Sequence, residues 1–168
     1  MKKETGLNTK ELEFRYNYIK GKIAEHIVEQ LFIALGIDVY RYGVEHTVPQ
    51  LLSYMRKNKQ PNETSHIRNN PDFIIRIPKT DSIHFIEVKY RANGTISRKE
   101  IEESYNYPPN TFIILVTKTS IKSIKFIDLK ENNAKPIDII NQPEFCIENS
   151  LLISQHIELA QKVYKGLD

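Results

Sequence analysis

Asp72, Glu87 and Lys89 are the residues of this 168-residue chain whose types and spacing could do chemistry. Two apolar-rich segments, Phe73 to Ile77 and Ile83 to Tyr90, flank the turn-prone run Pro78-Lys79-Thr80-Asp81-Ser82, which outlines a β-hairpin. Strand side chains alternate between faces, so Asp72, Ile74 and Arg76 share one face while Phe73, Ile75 and Ile77 take the other. On the second strand Phe85, Glu87, Lys89 and Arg91 share a face, opposed by His84, Ile86, Val88 and Tyr90. With Pro78 to Asp81 as the loop, Ile77 pairs with Ser82, and counting back sets Asp72 opposite Glu87. Two carboxylates and an amine then meet among mostly apolar neighbours, an odd place for three charges. The plain alternative is a solvated Glu-x-Lys pair beside an ordinary Pro-Asp turn.

Pro71-Asp72, a short gap and then Glu87-Val88-Lys89 resembles the signature of the PD-(D/E)XK nuclease superfamily, the restriction-endonuclease-like fold. The resemblance implies metal-dependent hydrolysis of a phosphodiester. Magnesium, or manganese in its place, prefers oxygen ligands and keeps several waters. Asp72 and Glu87 would supply two of those ligands, and the backbone carbonyl of Val88 another. Such an ion polarises the phosphate and lowers the pKa of a bound water. Lys89, on the same face as Glu87, would orient that water or stabilise charge building on the phosphate.

The elements that must position these groups begin with a helix from about Glu11 to Leu35. Ile19, Ile23, Ala24, Ile27, Val28, Leu31, Phe32 and Leu35 recur at helical spacing, and Gly36 is a natural stop. Glu25 falls just beyond the edge of that apolar arc, in line with Gly21; Glu29 lies a step further towards solvent and His26 on the outer face. Lys20-Gly21, Glu25, Leu31, Leu35, Gly36 and Val39 resemble the first helix and following strand of Holliday-junction-resolvase-like members of the superfamily. There a helix glutamate contributes to the metal site, a role that would fall to Glu25.

Ile37 to His46 reads as the first strand. Val48 to Lys59 reads as a short amphipathic helix ending in Arg56, Lys57 and Lys59, which either grip phosphates beside Tyr54 or simply complement the helix C-terminus. Gln60 to Asn70 is a polar loop. Residues 47–70 are longer than a compact resolvase needs and form an insertion between the first and second strands. After the hairpin, Ser97 with Glu100 forms a capping-box pattern for a short helix ending near Tyr105. Thr111 to Thr117, with Phe112 to Val116 continuously apolar, is a strand buried on both faces. Lys118 to Ser123 is a turn carrying Lys118 and Lys122, Ile124 to Leu129 a shorter edge strand, Asn132 to Pro143 irregular, and 149–165 a last amphipathic helix that packs on the sheet or on a partner. Arg91 either contacts a phosphate or forms a surface salt bridge.

The expected class is α/β: an αβββαβ core with a mixed four- to five-stranded sheet, flanking helices and an extra C-terminal helix, in one domain over residues 1–168. A net charge of +3 with pI near 8.8 permits a nucleic-acid partner without demanding one. The single cysteine, Cys146, excludes an intrachain disulfide framework and any multi-cysteine zinc or iron–sulfur site, and fits a cytoplasmic setting. The polar N-terminus has no apolar signal region, and no run is long enough for a membrane span.

The function expected from the resemblance is a magnesium- or manganese-dependent endonuclease acting on branched or duplex DNA, of resolvase, restriction or repair type. Resolvases act as homodimers because a branched junction needs two paired cuts. The rival classes are a catalytically silent nucleic-acid-binding or assembly protein that kept the fold, and an RNA-directed nuclease.

Overall fold

The computed structural model describes residues 8–42, 70–104 and 107–167. The first helix, α1 (Thr9–Ala34), starts two residues earlier than its apolar spacing suggests. Asn8 explains this. Its Oδ1 accepts the Glu11 backbone N–H at 2.9 Å while the Asn8 N–H donates to Glu11 Oε2 at 3.0 Å, so two amides that helix geometry leaves without partners are satisfied. At the far end Gly36 takes a left-handed conformation, φ 75°, and its N–H donates to Ile33, which turns the chain out of the helix.

Six strands follow in spatial order β1 to β6: β1 (Asp38–Arg41), β2 (Phe73–Ile77), β3 (Ser82–Tyr90), β4 (Thr111–Val116), β5 (Ile121–Lys125) and β6 (Ile137–Asp138). β3 and β4 are parallel; every other neighbouring pair is antiparallel. Helix α2 (Arg98–Ser104) makes the crossover that a parallel pair requires. Helix α3 (Phe126–Asn132) follows β5, and α4 (Ser150–Lys165) closes the described chain. The architecture is therefore α/β, with a mixed open sheet covered by helices.

β4 shows why the helices divide between two faces. All six of its residues are buried. Phe112, Ile114 and Val116 join one core with Ile27, Leu31 and Phe32 of α1, Ile75, Ile86, Val88 and Tyr164 of α4. Ile113 and Leu115 join a second core with Ile101 of α2, Tyr107, Ile124 and Phe126 and Leu129 of α3. A strand with apolar side chains on both faces needs cover on both.

The expected hairpin forms in the expected register, with Ile77 paired to Ser82 and Phe73 to Ile86. Asp81 adopts φ 54° to close the turn, a conformation aspartate tolerates, and its Oδ1 accepts the Arg76 Nε–H at 2.8 Å. Three expectations need correction. Ile121 already belongs to a strand, which ends at Lys125; Phe126 to Asn132 is helix, because Phe126 and Leu129 both face the second core at helical spacing. The alternation of β5 was masked by Ser123, a buried polar residue satisfied by Gln142 at 3.0 Å. The supposedly irregular 132–143 stretch contains β6 and the 3-10 turn Ile139–Asn141, so the sheet has six strands and β6 forms its edge. The first strand is described only as Asp38–Arg41, and the expected Val48–Lys59 helix lies outside the described residues.

The strand-facing core carries the stability of this arrangement. Ile75, fully buried at the centre of the hairpin, should lose about 2–5 kcal/mol of stability on Ile75→Ala. Urea denaturation followed by circular dichroism should show a lower midpoint with an unchanged slope.

Candidate functional site

β3 runs four residues beyond its last pairing with β2, because Phe73 pairs with Ile86 while β3 continues to Tyr90. A strand that outruns its neighbour presents backbone N–H groups with no ladder partner. Asp72, the residue just before β2, meets this need. Its Oδ2 accepts the Val88 N–H at 2.8 Å, and its carbonyl accepts the Tyr42 N–H at 2.9 Å, so Asp72 ties β3 to the chain leaving β1. Asp72 therefore sits level with Glu87, as the pairing arithmetic requires.

Glu87 and Lys89 project from the same side of β3. Glu87 registers with Ile113 and Lys89 with Leu115, which places both on the face of the second core. Both are nearly inaccessible, 9% and 8% exposed, and Lys89 Nζ donates to Glu87 Oε1 at 3.0 Å. The buried Tyr107 hydroxyl also hydrogen-bonds Glu87. Glu25 comes from the opposite face, on α1, and reaches the notch where β2 has stopped. Both of its carboxylate oxygens accept hydrogen bonds from Lys22 Nζ, at 3.0 and 2.8 Å.

The electrostatics identify Asp72 as the acid under most pressure. Burial raises its pKa well above the usual carboxylate range, and the charges of Glu87 and Glu25 add to the rise; the Val88 N–H and Lys22 offset part of it. Burial also raises Glu87, against the lowering effects of Lys89 and of its hydrogen bonds to Lys89 and Tyr107. Glu25, Asp72 and Glu87 thus act on one another through the notch. Glu25 and Glu87 each hold an ammonium, whereas Asp72 forms no ion pair among the described residues.

The donors are carboxylate oxygens, the ligand type that a hard divalent cation takes. No three acids, histidines or cysteines among the described residues stand close enough together to hold an ion by themselves. Asp72 and Glu87, with the Val88 carbonyl next to Glu87 in sequence, are oxygen donors of the kind that would suit an ion keeping several waters.

Other expected site residues separate. Arg91 forms an ion pair with Glu100 and donates to the Tyr90 carbonyl at 3.1 Å, so the salt-bridge alternative describes it. That pairing also takes the Glu100 side chain; only the Ser97 half of the expected capping box is present, Ser97 Oγ accepting the Glu100 N–H at 3.2 Å. Lys122 lies in the same cross-strand row as Lys89, two strands away beyond Leu115. Lys118 sits half-buried in the turn between β4 and β5. Arg56, Lys57 and Lys59 lie outside the described residues.

Sequence reasoning missed Lys22 and Tyr107. Lys22 carried a signal, since a lysine three residues before a glutamate faces it on a helix. Tyr107 carried none, because only the packing of its loop beneath β3 brings it to Glu87. Glu29, read as more solvated than Glu25, instead clamps α1 to the sheet edge: Arg41 Nε donates to its Oε1 at 2.7 Å, and that bond lowers the Glu29 pKa.

No protein-family model and no curated protein matches the sequence. No helix among the described residues is long and apolar enough to cross a membrane.

The raised acids make a signed prediction. In the folded state they bind protons that the unfolded chain has released, so stability falls as pH rises from the ordinary carboxylate value through the raised one. Asp72→Asn keeps an acceptor for Val88 and removes the charge. It should raise Tm near neutral pH without added metal, and the gain should vanish near pH 4, as scanning calorimetry across pH would record.

Proposed function

We propose that the protein is a divalent-cation-dependent phosphodiesterase that cleaves DNA, with the catalytic machinery at the notch between β2 and β3. The observation that carries this reading is the burial of Glu87 and Lys89 side by side on β3, with the half-buried Asp72 carboxylate fixed against the Val88 N–H beside them. Burying charge is costly, and the acceptor that Val88 needs accounts for Asp72 but not for the buried Glu87 and Lys89 beside it. The order helix, three strands, helix, strand and the Pro71-Asp72, Glu87-Val88-Lys89 signature support placing the chain with the restriction-endonuclease-like fold of the PD-(D/E)XK nucleases.

In this reading Asp72, Glu87 and the Val88 carbonyl hold magnesium or manganese, with Glu25 completing the acidic cluster directly or through water. A bound cation of this kind supplies Lewis-acid polarisation of a phosphate and a more acidic water. The chain's own residues do the rest. The Val88 N–H fixes the Asp72 carboxylate at the end of β2, and Tyr107 and Lys89 fix that of Glu87. The Lys89 ammonium donates to the attacking water or to a phosphate oxygen whose charge grows as the bond to the leaving oxygen lengthens. Formal charges agree with this division: Glu25, Asp72 and Glu87 against Lys22 and Lys89 leave one negative charge, a divalent cation makes it one positive, and a phosphodiester neutralises it. A single cysteine suits a reducing compartment such as the cytoplasm.

The rival is a non-cutting DNA-binding or assembly protein. It draws support from the Lys22–Glu25 and Lys89–Glu87 pairs, which satisfy two of the three acids within the chain. Incubating the protein with supercoiled plasmid and a four-way junction in magnesium or manganese separates the two. The parent should cut, and Lys89→Ala should cut at least about 100-fold more slowly while keeping its circular dichroism spectrum. DNA binding without cutting by the parent, with either metal, would establish the rival.

A further inference from the structure

The first half of α1 is exposed among the described residues, and only at Tyr18 and Ile19 does it begin to line a groove with Leu159 and Val163 of α4. Every described side chain from Glu11 to Ile19 is exposed, including Phe14 at 71% and Tyr18 at 49%. Capping by Asn8 and Glu11 secures this segment as helix, so its exposure is a feature of the folded chain. Phe14, Tyr18 and Lys22 are spaced at i, i+4 and i+8, which lines them along one face; Arg15 lies beside them, seven residues before Lys22. The same line continues through Gly21 and Lys22 to Glu25 at the notch.

Gly21 is the second observation. Glycine within a helix is destabilising relative to alanine, so its presence asks for a reason. A Cβ at Gly21 would meet no atom within 4 Å among the described residues, so their packing does not supply one. A ligand that comes close to the helix backbone there would, because the missing side chain opens the strip beside Glu25.

We propose that this strip of α1, Phe14, Arg15, Tyr18, Gly21 and Lys22, is the docking surface for the DNA strand leading to the notch. This rests on the nuclease reading and adds to it where the substrate lies. The charges suit a polyanion: from Thr9 to Glu25 there are four cations, Lys10, Arg15, Lys20 and Lys22, against Glu11, Glu13 and Glu25, and on the strip Arg15 stands beside the exposed rings of Phe14 and Tyr18. Cations interleaved with exposed aromatic rings are what a nucleic-acid strand requires, the cations for phosphates and the rings for unstacked bases. Lys22 Nζ lies 5.7 Å from the Tyr18 ring centroid, so on the strip charge and ring are presented together. From Phe14 to Glu25 the helix rises about 16 Å at 1.5 Å per residue. That is the length of about five phosphate steps along one DNA strand at 3.4 Å each. Lys22 has two tasks on this surface. It holds Glu25 now, and it contacts a phosphate when Glu25 turns to the acidic cluster.

The test is a fluorescence-anisotropy titration of a labelled four-way junction in manganese, at several salt concentrations, in a Lys89→Ala background that spares the DNA. Adding Gly21→Ala should leave Tm equal or a few degrees higher yet weaken binding at least fivefold. Adding Arg15→Ala with Tyr18→Ala should weaken it at least tenfold and flatten the salt dependence by about one unit of slope for the lost phosphate contact. Unchanged affinity and slope in both variants would overturn the docking surface and leave the nuclease reading standing. Unchanged affinity with loss of a dimer, seen by light scattering after gel filtration, would reassign the strip to a contact between copies and likewise overturn it. Failure of the folded Lys89→Ala protein to bind any DNA would remove both readings.

Discussion

One hydrogen bond organises this molecule's unusual feature: the Val88 N–H donating to the Asp72 carboxylate at 2.8 Å. β3 continues past the end of β2, and its exposed amide must find an acceptor in a nearly water-free place. A carboxylate answers that need, but doing so draws a charge into the protein. Burial raises the pKa values of both Asp72 and Glu87, and the charge of Glu87 adds to the rise at Asp72. Lys89, Tyr107 and Lys22 can all be understood as responses to that concentration of negative charge.

The sheet makes the concentration tolerable. With helices α1 and α4 on one face and α2 and α3 on the other, β4 is buried throughout and apolar from Phe112 to Val116, and the charged end of β3 is held between two packed layers. The partners of each acid therefore come from different directions. Tyr107 arrives from the second core, Lys89 from β3 itself and Lys22 from α1 across the notch. Ion pairs such as Glu29–Arg41 and Arg91–Glu100 sit around this region and hold α1 and α2 to the sheet. Tyr164 adds to the grip on α1, donating its hydroxyl to the Lys20 carbonyl at 3.0 Å while its ring stacks on Tyr90 at 4.3 Å. Burial of that hydroxyl raises its pKa, so it remains a donor.

The hairpin, its register and the shared face of Glu87 and Lys89 were legible because strand periodicity is two and the loop length was correctly read. The first helix was legible from its apolar spacing, and β4 from an unbroken apolar run. Errors came where local pattern and tertiary partner disagree. Ser123 looked like a turn residue because its partner, Gln142, lies nineteen positions away. Phe126 and Ile127 looked like more strand because an apolar run does not announce a change from period two to period three or four. β6, two exposed residues long, has no period to detect.

The linear chain by itself determined which residues could meet across two strands, since pairing in a hairpin is a matter of counting, and which helix face would carry Glu25. Only the tertiary structure decided how the strand charges are satisfied: that Asp72 bonds a backbone amide and that Glu87 is reached by Tyr107. Periodicity sets the direction in which a side chain leaves the backbone. Which partner it finds there depends on how elements distant in the chain pack together, and that is written in no local run of residues.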